Sequence, residues 1–280
     1  MKYSVLMAVY KKDSPKYLNT ALESIYDQQT RKPDEIVVVF DGPLTEDLYK
    51  VLDDFKRDKE SIVKYYLLEK NMGLGEALRA GTEQCSGDYI FRMDSDDISE
   101  RTRFEKQIKY LENHPEIDVV GTDIAEFETS LNETMRLRIC PEKHENIIKM
   151  AKRRSPMNHV SVCMKKEALI KCGGYGNVLL LEDYYLWLKM IVAGCHLANI
   201  HETLVWVRIG NGFDLKRGSK ERIYGWKILQ KYMLKHKLIN KFEAIINMAY
   251  IYIFVNFPPG LKKVLYDKLL RKKCKRRMKE

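Results

Sequence analysis

The sequence predicts an α/β fold: a mixed, mostly parallel sheet flanked by helices, with a helical extension at the C-terminus. Short apolar runs that end in turn residues alternate with segments of helical period through the first half of the chain. This alternation is typical of a sheet with helices on both faces. From residue 220 onward only the helical pattern continues. We therefore expect one domain over residues 1–215 and a helical, basic region over residues 216–280.

The elements of the first half follow from apolar periodicity and turn residues. The first helix, for example, places Leu18, Leu22 and Ile25 on one side. The predicted strands are Tyr3–Val9, Glu35–Phe40, Ile62–Leu68 and Tyr89–Met93, and the predicted helices are Pro15–Gln28, Glu46–Asp58 and Gly75–Cys85. Ligands bind at the carboxyl ends of strands in such sheets, so the residues that follow each strand are the first candidates for a site.

The second half predicts shorter strands mixed with helices. The strands are Ile117–Gly121, Ile124–Glu128, Met135–Ile139, Val160–Met164, His196–Ile200 and Leu204–Ile209, and the helices are Ser99–Asn113, His144–Lys152, Lys165–Cys172 and Leu181–Ala193. Three glycines place the domain boundary near Asn211–Gly218, and Pro258-Pro259-Gly260 is expected to interrupt the C-terminal helices.

The positive charge of the chain is concentrated in its last residues. The formal net charge is +10, and residues 261–280 contribute +8 of it, because they hold ten Lys or Arg residues and two acids. A nucleic-acid-binding module is the second functional class to weigh. The body of the chain shows no basic face and no recognition motif, so we expect no nucleic-acid partner.

Cysteines and apolar segments indicate the compartment. The six cysteines form no C-x-x-C pair, so we expect buried free thiols in a reducing compartment. The apolar run at the N-terminus is too short for a secretory signal and resembles a first core strand. The longest uncharged segment, Ala244–Gly260, has 17 residues, whereas a spanning helix needs about 20. We expect no transmembrane helix and a cytoplasmic location.

A cluster of acids follows the fourth predicted strand. Asp94, Asp96 and Asp97 stand together with Ser95. Like charges at this density repel, and Asp-x-Asp offers the hard oxygen ligands that Mg²⁺ or Mn²⁺ prefers. The alternative is a loop in which Asp96 or Asp97 caps the following helix. An EF-hand is excluded, because its loop requires a glycine where Ser99 stands.

Two further loops offer candidate ligand contacts. Asn71-Met-Gly-Leu-Gly75 joins the third strand to its helix, and Gly73 would let the backbone approach a phosphate or ribose closely. Asp41 ends the second strand and could accept an N–H from a pyrimidine base. Either loop is also explained by a tight turn alone.

Five short motifs occur in a fixed order along residues 1–210. They are Val9-Tyr10, Asp41-Gly42, Asn71-x-Gly73, Asp94-x-Asp96 and Glu182-Asp183. In this order they resemble the family 2 glycosyltransferases of GT-A fold. The segments that begin at Met7, Pro33 and Asp41 are most similar to bacterial enzymes that build surface polysaccharides.

The resemblance implies a nucleotide-diphosphate sugar as donor, with UDP favoured. The residues expected to bind it are Ala8, Val9, Tyr10, Asp41, Asn71, Gly73, Arg79, Asp94 and Ser95. In the family pattern, Asp94 faces the ribose and Asp96 ligates Mn²⁺ or Mg²⁺, which neutralises the departing diphosphate. The third acid, Asp97, departs from the pattern and leaves open which carboxylate is the main ligand.

The resemblance also implies a general base. Asp183 is expected to take the proton of the acceptor hydroxyl, and direct displacement would invert the anomeric centre. The alternative is that Glu182 and Asp183 only favour the positive end of the helix that begins there. Asn158, His159, Glu182 and Arg208 are expected to contact the acceptor or the diphosphate. The Gln-x-x-Arg-Trp motif of processive synthases is absent from the sequence, so we expect transfer of one sugar at a time.

The expected acceptor is a lipid-linked saccharide in capsule, O-antigen or exopolysaccharide assembly. Aromatic residues near position 250 and the basic run Lys262–Lys279 suit a helical region on an anionic membrane, which would hold the protein at the inner face of the cell membrane. The alternative is a helix packed on the core with a solvated end. The alternative activity is a sugar nucleotidyltransferase, but Met7-Ala-Val-Tyr-Lys11 is not the glycine-rich phosphate loop of that class.

Overall fold

The computed structural model describes residues 1–131, 134–178, 180–209, 221–257 and 272–275. The strands are β1 (Tyr3–Val9), β2 (Glu35–Phe40), β3 (Val63–Leu67), β4 (Tyr89–Met93), β5 (Ile98–Ser99), β6 (Val119–Phe127), β7 (Thr134–Arg138), β8 (Cys163–Lys165), β9 (Leu197–Arg208) and β10 (Lys272–Lys275). The helices are α1 (Pro15–Ile25), α2 (Glu46–Lys56), α3 (Leu74–Gln84), α4 (Arg103–Asn113), α5 (His144–Ala151), α6 (Lys166–Lys171), α7 (Glu182–Val192), α8 (Glu221–Lys235) and α9 (Lys241–Asn256).

One mixed sheet joins these strands in the order β10-β7-β6-β8-β4-β1-β2-β3, with β9 paired to β6 and β5. The strands β3, β2, β1 and β4 run parallel, as predicted. Val9 is opposite Phe40 and Met7 is opposite Met93. The residues that follow these strands, Tyr10, Asp41 and Asp94, therefore lie together at the carboxyl ends of the strands.

The sheet is buried on both faces, so its strands are apolar on both sides. Along β4 the side chains alternate. Phe91 and Met93 belong to one apolar cluster, with α1, α2 and α4, while Ile90 belongs to the other, with Trp187 of α7. Arg92 is on the same face as Ile90 and is only 2% exposed. A fully charged side chain is thus enclosed directly before the acidic loop.

Two predicted breaks are absent, and polar residues at those two positions contact each other between the strands. The strands β6 and β9 are each continuous where two strands were expected. Asp123, in the middle of β6, accepts an N–H from Cys140 at 3.1 Å and lies 3.3 Å from the Nδ1 atom of His201 on β9. The pairing of β6 with β9 shifts register on either side of Asp123, and both strands continue past it.

The helix after the acidic loop begins later than expected. The segment Ile98–Ser99 pairs with β9 instead of starting a helix, and α4 starts at Arg103. The Glu100 carboxylate accepts the N–H of Thr102 at 2.6 Å, ahead of the first turn. A second boundary also moves, since His159–Ser161 forms a 3₁₀ turn ahead of β8.

The C-terminal region is helical and packs on the body. Trp226 and Met233 of α8 are buried with Tyr184 and Leu188 of α7, which confirms the helical extension over α8 and α9. One prediction is wrong here: the tetrapeptide β10, in the basic tail, is an antiparallel strand on β7 and not part of a helix. The expected boundary at Asn211–Gly218 and the break at residues 258–260 lie outside the described residues.

Two further expectations can be compared with the described part of the chain. Among the helices that the structure describes, none is long and apolar enough to cross a membrane. Among the cysteines with described side chains, Cys85, Cys163 and Cys195 are fully buried free thiols, and Cys172 is a partly exposed one.

Candidate active site

The loop after β4 is tied to the loop after β1 by a residue that the sequence did not single out. Asp13 Oδ2 accepts the hydroxyl of Ser95 at 2.7 Å and the backbone N–H of Tyr10 at 3.1 Å. Burial, with Asp13 and Asp96 nearby, raises the pKa of the Tyr10 phenol. Tyr10 and Ser95, both expected at the nucleotide, therefore lie together beside the acids. Asp13 is two residues before the helix that begins at Pro15, where an acid is a common helix-start signal, so it gave no separate signal.

Asp96 lies at the centre of the acidic cluster. Its burial, with Asp94 and Asp13 close by, raises its pKa to about 7, although Arg92 acts in the opposite sense. Crowded carboxylates of this kind favour a divalent cation, and the oxygen donors suit Mg²⁺ or Mn²⁺. Within the described residues, no three His, Cys, Asp or Glu side chains form a complete metal-binding group. The arrangement fits an ion held by one or two carboxylates and completed by substrate phosphates.

Asp97 has a structural contact that overturns its suggested role as a helix cap. Its side chain is only 2% exposed, and Oδ1 accepts the backbone N–H of Arg208 at 2.8 Å. The residue at the N-terminus of α4 is Thr102. Burial and the adjacent carboxylates raise the pKa of Asp97 well above its usual value. Asp97 thus fastens the end of β9 to the acidic loop.

Arg208 is held against the acidic cluster. Its guanidinium stacks over the rings of Tyr17, at 3.9 Å from the centroid, and Phe127, at 4.5 Å. Its Nε–H donates to the backbone carbonyl of Asp96 at 3.2 Å. This position beside Asp96 is the one expected of a residue that contacts a diphosphate, and that contact stays a prediction.

Asp41 organises the loop before α3. Its carboxylate accepts the side-chain N–H of Asn71 at 2.9 Å and the backbone N–H groups of Met72 and Gly73 at 2.6 and 3.0 Å. Gly73 has φ = +88°, which only glycine adopts without strain. The structure therefore brings Asp41, Asn71 and Gly73 together. It also uses Asp41 to shape the loop, a role that the sequence did not indicate.

Three other residues expected at the nucleotide have different surroundings. Val9 is 1% exposed, and its side chain packs in the apolar core and does not face the site. Ala8 is only partly buried, on the opposite face of β1. Arg79 lies on the exposed side of α3, where Glu76 and Glu83 each bind it at 2.9 Å. The structure does not bring Arg79 to the acidic cluster.

Arg92 lies between the acidic loop and α7. It forms an ion pair with Asp94, while its Nε and Nη1 atoms have no hydrogen-bond partner in the described part of the chain. Its charge opposes the rise in the pKa of Glu182 in α7, and it adds to the effect of burial in depressing the pKa of His159. An arginine inside an apolar strand is read from sequence as solvent-facing, so this residue was missed.

The predicted base is oriented by a hydroxyl. Ser155 donates to Asp183 Oδ2 at 3.2 Å. Burial and the neighbouring Asp183 raise the pKa of Glu182 to about 7, against the effects of Arg92 and Arg222. Gly75, at the start of α3, lies close to Glu182, since a Cβ there would be 3.4 Å from the Glu182 Cβ. The loop before α3 and the start of α7 therefore border one region.

Two of the residues expected at the acceptor, His159 and Asn158, are held by internal contacts. His159 Nε2 lies 2.8 Å from the Tyr175 hydroxyl, and the imidazole packs edge-on against Trp187. Burial, with Arg92 nearby, holds the pKa of His159 well below its usual value, so the ring is neutral. Asn158 is 1% exposed and donates to the Thr122 carbonyl at 2.8 Å. Direct substrate contact by either side chain stays a prediction.

The mixed sheet, with parallel strands covered by helices on both faces, has the GT-A fold of glycosyltransferases. A solved structure of the same architecture is S. aureus TarS 1-349 in complex with UDP-GlcNAc, with a TM-score of 0.67 and 17% identity over 90% of this chain and 72% of that one. At this identity the likeness shows the fold alone.

The chain belongs to glycosyl transferase family 2, whose model matches residues 4–178. It is 37% identical to the UDP-Gal:alpha-D-GlcNAc-diphosphoundecaprenol beta-1,3-galactosyltransferase of Escherichia coli, over 97% of both chains. It is 38% identical to the amylovoran biosynthesis glycosyltransferase AmsE of Erwinia amylovora, over 84% of this chain and 85% of that one. The expected family and enzyme class are confirmed.

Proposed function

We propose that this glycosyltransferase moves one sugar from a UDP-sugar to a saccharide carried on a lipid diphosphate, with inversion at the anomeric carbon, during assembly of a bacterial surface polysaccharide. The observation that carries the proposal is the placement of two acidic groups around the buried Arg92. The donor group is Asp94 and Asp96, at the carboxyl end of β4. The acceptor group is Glu182 and Asp183, at the start of α7, where Ser155 donates to Asp183.

At the donor side, the chain offers a binding surface for a nucleotide diphosphate. Tyr10, Asn71 and the backbone at Gly73 would face the nucleotide, and Arg208 would meet the diphosphate. Asp96, with Asp94, would hold Mn²⁺ or Mg²⁺, and such an ion supplies Lewis-acid stabilisation of the leaving diphosphate. Arg208 is already fixed by two aromatic rings and the Asp96 carbonyl, so little side-chain entropy is lost when it binds phosphate.

At the acceptor side, Asp183 would take the proton of the attacking hydroxyl. A bond forms between the acceptor oxygen and the anomeric carbon as the bond from that carbon to the diphosphate oxygen breaks, and UDP leaves with the electron pair. Ser155 holds the Asp183 carboxylate in one orientation. Glu182, with a pKa of about 7, is partly protonated near neutrality, which reduces its repulsion of Asp183.

The proposal of a lipid-linked acceptor is supported by an exposed apolar surface on α9. Phe242, Ile245 and Tyr250 are each about two-thirds exposed or more, and basic residues follow this helix in the sequence. The name of the related E. coli enzyme specifies a diphosphoundecaprenol acceptor. Aromatic and aliphatic side chains beside cations suit the boundary of an anionic membrane.

The activity is tested by a thermal-shift screen of UDP-, GDP- and dTDP-sugars with Mn²⁺, followed by transfer from the donor that stabilises most. We expect UDP release and a product with the opposite anomeric configuration, measured by NMR. Release of pyrophosphate would instead indicate a nucleotidyltransferase. Product chains that lengthen in one binding event would rule out single-sugar transfer.

Membrane association is tested by flotation with phosphatidylglycerol vesicles. Replacing Phe242 and Ile245 by Ser should reduce flotation, because both side chains are exposed on one face of α9. The matched control is Ile170→Ser on α6, which removes an equally exposed side chain elsewhere. Equal flotation of all three proteins would contradict membrane binding through α9.

A further inference from the structure

A basic pocket lies between the C-terminal end of α5 and the first turn of α9. Its volume is about 540 Å³, and its lining includes Lys149, Lys152, Arg153, Arg154 and Glu243. Asn247 of α9 donates to the Lys152 carbonyl at 2.8 Å, which holds α9 against the pocket. Four of the five residues named here are cationic, so the pocket favours an anion.

The positive charge of this pocket is not neutralised by its own acid. The Glu243 carboxylate accepts the backbone N–H of Asn240 at 2.9 Å, as part of the box that caps α9. Within the described part of the chain, Lys149, Lys152 and Arg153 form no ion pair with a carboxylate. Cations at the end of α5 also complement its dipole. That effect accounts for a basic last turn, but not for several cations gathered around a cavity.

The pocket is one residue along the chain from the hydroxyl that holds the proposed base, and it borders α9. Arg154 directly precedes Ser155, about 3.8 Å away between Cα atoms, and Ser155 donates to Asp183. On α9, Ile246 neighbours Glu243 on the helix surface, since residues three apart share a face. An anion in the pocket would thus have the base on one side and an exposed apolar helix on the other.

We propose that this pocket binds the diphosphate of the lipid-linked acceptor, with the lipid chain along α9 and the acceptor sugar directed towards Asp183. The inference rests on the proposed function and specifies where that substrate binds. Diphosphate oxygens match the Lys and Arg donors, and charge-assisted hydrogen bonds of this type are the strong ones. The pocket is distinct from the proposed donor site, where Asp94 and Asp96 follow β4.

The test measures binding of geranyl diphosphate, a soluble probe, by calorimetry without a donor. The variant is Lys149→Gln, Lys152→Gln and Arg153→Gln together. The matched control removes the same charge from distant exposed positions, with Lys2→Gln, Lys50→Gln and Lys109→Gln. We expect the pocket variant to bind about tenfold more weakly and the control to bind like the parent protein. Equal affinity of pocket variant and parent would overturn the proposal. Circular dichroism melts confirm that all proteins are folded.

Two competition arms identify the source of the diphosphate. Phosphatidylglycerol vesicles or UDP should displace the probe poorly. If saturating vesicles or UDP abolished the calorimetric signal of geranyl diphosphate, the pocket would belong to bulk headgroups or to the donor product, and the proposal would be overturned.

A transfer arm separates this inference from the proposed function. With the same sugar offered on a prenyl diphosphate or as a simple alkyl glycoside, the pocket variant should raise the KM only for the diphosphate. An equal rise for both would contradict the pocket assignment. Absence of transfer by the parent protein, with probe binding intact, would instead reject the proposed function.

Discussion

The two acidic groups around Arg92 differ in how the chain assembles them. The donor group, Asp94 and Asp96, is held by contacts from distant segments, because Asp13 accepts the Ser95 hydroxyl and Arg208 donates to the Asp96 carbonyl, and its carboxylates crowd together. The acceptor group is the first turn of one helix, where Asp183 accepts one hydroxyl from Ser155. Crowded carboxylates suit a cation, whereas a single oriented carboxylate suits a proton. Under the proposed function, the same residue type therefore serves two tasks that its surroundings distinguish.

The largest expected effect tests the acceptor group. Asp183→Asn should lower transfer about 1,000-fold, since a positioned base typically contributes 100- to 10,000-fold, while UDP affinity stays unchanged. Glu182→Gln is the control, and it should lose about tenfold or less because Glu182 is already partly protonated near neutrality. Transfer rates and calorimetry of UDP binding measure both. Near-full turnover by Asp183→Asn would remove this residue from the role of base.

The acidic loop at the donor side is tested by replacing Asp96 and Asp97, one at a time, with Asn. Asp96→Asn should lower Mn²⁺-dependent transfer about 100-fold, because a carboxylate ligand is lost. Asp97→Asn should lose far less, since an amide oxygen can still accept the Arg208 N–H. Titration of Mn²⁺ in the presence of UDP measures the difference. The reverse order of effects would make Asp97 the main metal ligand.

Arg92 is expected to matter more for transfer than for stability. Its Nε and Nη1 donors are buried without partners, and such groups cost about 1–3 kcal/mol each. Arg92→Met removes this cost along with the Asp94 ion pair, so we expect the free energy of unfolding to change by less than about 1 kcal/mol. Transfer should fall about 30-fold, because both acidic groups lose the charge between them.

The matched control for Arg92 is Arg103, which is also fully buried. Its guanidinium donates to Gln107 and to the carbonyls of Arg92 and Val160. Arg103→Met should therefore cost about 3 kcal/mol, because several buried acceptors lose their donor. Urea denaturation measures both variants. Equal destabilisation of the two would mean that Arg92 is a structural residue like Arg103.

The smallest effect is a pH dependence. The folded-state pKa values of Asp96 and Glu182 are raised to about 7, above about 4 for unfolded chains. The folded state therefore binds more protons between about pH 4 and 7, and the metal-free protein should lose stability as the pH rises through this window. Mn²⁺ affinity should rise over the same window, because the ion displaces the Asp96 proton. Asp96→Asn should flatten the affinity curve, measured by calorimetry; an unchanged slope would contradict this assignment.

The sequence predicted the parallel strands and the motifs at their ends because both depend on local patterns. Apolar runs such as Glu35–Phe40 and turn residues such as Gly42 fix these elements directly. The residues that it missed depend on distant packing. Arg92 is buried only because α7 covers that face of β4, and Asp97 is fixed by β9, more than a hundred residues later.

Polar residues inside strands were the other source of error. Asp123 reads as a turn residue, but its partners Cys140 and His201 come from other parts of the chain. Ser155 likewise becomes informative only when α7 brings Asp183 to it. Local sequence cannot supply contacts of this range.

The strand Lys272–Lys275 has a consequence for how this protein can be shortened. It occupies the outermost position of the sheet, beside β7, and three of its four residues are lysines. Uncovered strand edges attract further strands, and lysine-rich outer strands discourage such growth. A chain that stops before residue 272 would leave the backbone of β7 open to a second molecule. Truncation of the tail should then cause self-association, visible by sedimentation, so the basic residues are better removed by point substitution.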